Sequence, residues 1–139
     1  MRDVLGAVVG VAIAVLTVML FEWISHTAFP PPPDLDVKSS EALSAYIASA
    51  PIGAILLLLA GYIVATFDGT FIAIWIGRAK PFVFALVVGV LMLVATTTNL
   101  IMILHPLWFT ISAVVGIVVA AWAAWLVAPA LRRTPPKSE

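Results

Sequence analysis

The sequence predicts an all-α integral membrane protein, a four-transmembrane-helix bundle with a short amphipathic helix between its first two spans. Three observations carry that prediction. Apolar residues make up 63% of the chain and charged residues 10%, against about 45–50% and about 25% in soluble domains. Four apolar runs each reach the ~20 residues that a bilayer core requires. A proline stands at or near the start of three of them, Pro51, Pro81 and Pro106, where a missing N–H does no harm. Backbone polar groups in lipid must be bonded within the segment, and these runs are too long for barrel strands, so helices follow.

The first run covers about residues 4–24. Its charged lead, Met1-Arg2-Asp3, is short, and the apolar stretch exceeds the ~7–15 residues of a signal-peptide core, so we read it as a retained span. It ends in FEWISHTAFPPPPDLD, where Pro30 to Pro33 stop the helix and extend the chain. The following loop, residues 27–50, holds Ser39-Ser40-Glu41 and then ALSAYIASA. A serine cap and one apolar side predict a short helix resting on the membrane interface. The remaining spans cover about residues 51–77, 81–104 and 106–128, with a short basic tail over 129–139. No internal repeat or domain boundary interrupts them, so one membrane domain is expected.

Charge sets the expected orientation. Four spans leave both termini on one side, together with Arg2, Arg78, Lys80, Arg132, Arg133 and Lys137, while the other side keeps only Lys38. The positive-inside rule then places the termini in the cytoplasm and the Pro-rich loop outside, in a bacterial inner membrane. Tryptophans 23, 75, 108, 122 and 125 fall near span ends or flank the last span, as an aromatic belt requires. Seven basic and seven acidic residues balance, so no basic patch speaks for a nucleic-acid partner. The lipid bilayer is the expected partner. The chain has no cysteine, which removes thiol chemistry and cysteine-ligated metals.

Small residues recur at four-residue spacing: Gly6, Gly10 and Ala14 in the first span; Gly61, Ala65, Gly69, Ala73 and Gly77 in the second; Ser112, Gly116, Ala120, Ala124 and Ala128 in the fourth. In lipid such ridges allow helices to approach closely. They serve packing within the bundle, or association with a second copy or a larger complex.

The candidate chemistry lies in two layers. Glu22 and His26, four apart, share one face of a helix. The turn between the third and fourth spans delivers His105 to the same side, with Asn99 somewhat deeper. A carboxylate and two imidazoles suit a divalent metal, a proton site or a polar substrate. The plain structural alternative is a helix exit and a capped hairpin. Asp68 is the other ionisable residue in a span, ten positions before Arg78 and so ~15 Å along the helix. A charge there costs at least ~2.5–3.5 kcal/mol. It therefore calls for a proton or a polar partner among Thr17, Tyr62, Thr66, Thr70 and Thr96 to Thr98, or for a break at Asp68-Gly69 that frees backbone groups.

Phosphate-binding loops, G-x-S-x-G and paired-histidine motifs are all missing from the sequence. The leading expectation is a non-enzymatic structural or accessory membrane component, self-associating or part of a complex. The alternatives are a small proton- or cation-coupled transporter using Asp68 or the Glu22/His26/His105 layer, and a metal-dependent enzyme with its site on the outer face.

Overall fold

A computed structural model describes residues 1–132 and contains five helices and no strand among them. The helices are α1 (Arg2–Ala28), α2 (Ser40–Ser49), α3 (Ile52–Ile76), α4 (Pro81–Met102) and α5 (Leu107–Arg132). All but α2 are long and apolar enough to cross a membrane. The protein is a helical membrane protein. Its four long helices run up and down between two ends: a terminal end with Met1 and the 77–80 turn, and a loop end with residues 29–51 and the 103–106 turn.

The spans differ from the sequence boundaries in ways with local causes. Nothing between Ile24 and Ala28 stops α1, so it runs on until Phe29, which precedes Pro30 and is extended (φ −133°, ψ 72°). At the far end of α4, Ile103 turns extended (φ −129°, ψ 120°) ahead of His105-Pro106. Helix α3 passes unbroken through Asp68-Gly69. Helix α5 continues over Pro129 to Arg132, without the one bond that an N–H at residue 129 would make to the carbonyl of residue 125. The tail expected from residue 129 therefore begins helical. Arg133 and Lys137, two of the basic residues of the orientation argument, lie outside the described residues.

Helix α3 is the hub, packing against α1 on one side and α4 and α5 on the other, while α1 and α4 scarcely touch. The α1–α3 contact is close at backbone level. A Cβ on Gly10 would stand 2.5 Å from the Gly69 carbonyl oxygen and 2.6 Å from Ala73 Cβ, and one on Gly6 would stand 2.8 Å from the Ala73 carbonyl oxygen. Any larger side chain would push the helices apart. Gly61 receives the Phe21 ring stem and Gly116 receives Ile63. Gly77, Ala65 and Ala120 are also buried.

Three ties fix α1 along its length. Arg78 and Ala79 donate backbone N–H groups to Asp3 Oδ1 (2.5 and 2.8 Å). The Thr17 hydroxyl donates to Asp68 Oδ2 (2.6 Å). At the loop end the Phe29 ring lies over Gly53. Phe109, Ile74, Ile117 and Val88 fill the centre. Outward, Val8, Leu16, Leu91, Val115 and Val119 are about half exposed or more, an apolar exterior that only a lipid solvent accommodates.

Candidate functional site

The loop end holds a cavity of about 250 Å³. Its walls come from four helices and a turn. The last turns of α1 bring Glu22, Ser25 and His26; the start of α3 brings Ala54, Leu58 and Tyr62; α4 brings Asn99; the 103–106 turn brings His105. Helix α2 roofs it with Leu43, Tyr46 and Ile47. Ser39 caps α2 by accepting the Ala42 N–H (3.2 Å). Ser44 Oγ then accepts the Leu104 N–H (2.9 Å) and ties the roof to the turn.

All four residues singled out at this end, Glu22, His26, Asn99 and His105, line that one cavity. They do not form a ligand set. Among the described residues, no three His, Asp or Glu side chains stand together so as to hold a metal ion. The His105 ring is already committed. It stacks on Phe109 (centroids 4.8 Å apart, planes 16° apart), and its Nδ1–H donates to the Ile103 carbonyl oxygen (2.7 Å). A carbonyl can only accept, so the neutral ring carries its proton on Nδ1 and leaves Nε2 as an acceptor. Burial lowers the His105 pKa, against the Ile103 carbonyl, which favours the protonated ring. Glu22 and His26, though four apart, form no ion pair or hydrogen bond with one another.

Two tyrosines that the sequence reading does not assign to the site, Tyr46 and Tyr62, belong to it. The Tyr62 ring is buried, edge-on to Phe109 (6.3 Å), and lines the same space as Glu22. The small-residue ridges carry the signal that finds it. With Gly6 against Gly77, Gly10 against Ala73 and Ala14 against Gly69, four-residue steps bring residue 22 of α1 beside residues 61 and 62 of α3.

A second recess of about 230 Å³ lies deeper, in the gap between α1, α3 and α4. It shares Glu22, Tyr62 and Asn99 with the first and is otherwise lined chiefly by apolar groups, among them Val15, Met19 and Met92. The side-chain oxygens of these three shared residues make no hydrogen bond to another described residue. Asp68 lines neither space. Its Oδ2 is held by Thr17, while Oδ1 and the Thr70 hydroxyl are buried with no hydrogen-bond partner among the described residues. A further groove, between α4 and α5, is walled by Phe82, Gly89, Trp122 and Trp125 among other apolar side chains and carries no ionisable group.

The loop-end cavity thus gathers one carboxylate, one amide, one serine hydroxyl, two phenols and two imidazoles around a common space. Its carboxylate can only accept, and the other polar groups can turn an acceptor toward a ligand that donates. Compared with family models, curated proteins and solved structures, the chain matches none, and its chemistry is read from this geometry alone.

Proposed function

We propose that this is a small membrane protein that binds a positively charged, hydrogen-donating small molecule in the loop-end cavity. The convergence of Glu22, His26, Asn99 and His105 on one space is the observation that supports it. Glu22 is the only acidic residue in that lining, and neutral His105 offers a lone pair rather than a second charge. The Glu22 carboxylate can balance one ammonium. This reading is the binding step of the transporter alternative. The small-residue ridges of α1 and α3 pack against each other within the bundle, one of the two uses that the spacing allows.

The orientation proposed with it follows from charge. Arg2, Arg78 and Lys80 stand at the terminal end and Lys38 at the loop end, so the terminal end is cytoplasmic and the cavity faces outward. Helix α2 then lies along the outer interface as the roof of the site, in a bacterial inner membrane.

Butylamine tests the reading. A ligand bound only by the folded state stabilises it by ~2.7 kcal/mol at ~100 times its Kd. Wild-type protein in mild detergent should show a saturable rise in melting temperature with butylamine, and Glu22→Gln should lose it. An equal rise in both proteins, or none in wild type, overturns the reading.

A further inference from the structure

We infer that the ligand is a single-chain amphiphile: its ammonium sits among Glu22, Asn99 and Tyr62, and its alkyl tail lies in the recess between α1 and α4. The inference deepens the function proposed above and rests on it. The first support is the shared wall. The polar loop-end cavity and the apolar recess meet at three residues, and each of these carries an oxygen acceptor with no partner among the described residues. A primary ammonium has three N–H donors. One carboxylate, one amide oxygen and one phenol oxygen match that number and neutralise its charge.

The second support is the shape below the junction. From Glu22 the recess continues along α1 past Met19 to Val15, with Met92 of α4 on the opposite wall. Methionine adapts to flexible alkyl chains. Because α1 and α4 scarcely touch, no helix–helix seam closes this gap. Val15 and Met19 are 50% and 58% exposed, and Ala95 at the rim is exposed as well. The recess thus opens sideways, toward the level of the lipid chains. An amphiphile already dissolved in the bilayer enters there without carrying its tail through water. Above the junction, His26, Tyr46 and His105 leave room for the rest of a polar head.

Dodecylamine bearing a terminal diazirine reads out where the tail lies. On illumination with the full-length protein in nanodiscs, adducts should concentrate on the segments around Met19, Met92 and Ala95 and disappear with excess unlabelled dodecylamine. Val15→Phe, two turns along α1 from Glu22, should fill the recess away from the acceptors and reduce those adducts about tenfold, the effect of ~1.4 kcal/mol. The same variant should keep the butylamine-induced rise in melting temperature, which also shows that it is folded; Ala95→Leu serves as a second plug at the rim. Adducts spread over the outer faces of α4 and α5, or unchanged by both plugs, overturn the tail site while a Glu22-dependent butylamine response leaves the head site standing. If neither probe gives a saturable response, both readings fall.

Discussion

Thr17 and Asp68 share one hydrogen bond across the α1–α3 contact, while Asp68 Oδ1 is buried with no hydrogen-bond partner among the described residues. Removing one member of such a pair costs more than removing both, because the survivor is left desolvated. Thr17→Val should therefore destabilise the protein by about 1–3 kcal/mol, and Thr17→Val with Asp68→Leu should recover most of it. Chemical unfolding in mixed micelles measures the cycle; a double variant worse than the single one sinks the idea. His105 gives a pH-dependent counterpart. Its folded pKa lies below the ordinary 6.5 because it is buried, so the unfolded chain takes up the proton first as pH falls. Its contribution is complete above about 6.5 and drains away as pH drops below that value. Glu22 and His26 share the cavity, so the test is the difference between wild type and His105→Gln. That difference in unfolding free energy should shrink on acidification, and a flat difference contradicts it.

At the scale of the helix, the α1–α3 contact is the least forgiving element. At Gly10 and Gly69 the opposing backbone oxygen stands 2.5 and 2.6 Å from an added Cβ, and backbone cannot step aside as a side chain can. Gly10→Val or Gly69→Val should cost at least about 1–3 kcal/mol. Gly53→Ala, which meets only the end of the Phe29 ring, should cost less. Melting temperatures of the three variants rank the contacts directly. Helix α2 is held differently, with no buried residue of its own and the Ser44–Leu104 hydrogen bond as its tie to the turn. Ser44→Ala should cost only about 0.5–1.5 kcal/mol globally yet speed amide exchange across 40–49; unchanged exchange there means that the tie does not hold the roof. The long helices were legible because hydropathy and proline placement are local signals. The use of α2 as a roof was not, since its capped sequence says where a helix starts but not what Tyr46 and Ile47 will cover. Glu22, His26, Asn99 and His105 could be grouped by span counting alone, whereas Tyr62 needed the register between α1 and α3.

Taken whole, the molecule has an apolar exterior along four helices and its charge at two ends. The proposed orientation makes a plain prediction for intact cells, helped by the absence of native cysteine. A cysteine at Asp36 should react with a membrane-impermeant maleimide from outside, and one at Lys80 only after the membrane is breached. The reverse pattern inverts the topology and puts the cavity inside. The three ties along α1 have a mechanical meaning for the whole bundle. Asp3 fastens its first turns to the 78–79 backbone, Thr17 pins its middle, and Phe29 seats its end on Gly53. Helices α1 and α3 thus form a single stiff plank. Any widening of the α1–α4 gap would then fall to α4, against its packing on α3 and α5 and the Ser44–Leu104 bond beyond its end. The bond that closes the roof of the polar cavity would thus also resist opening of the apolar recess beneath it.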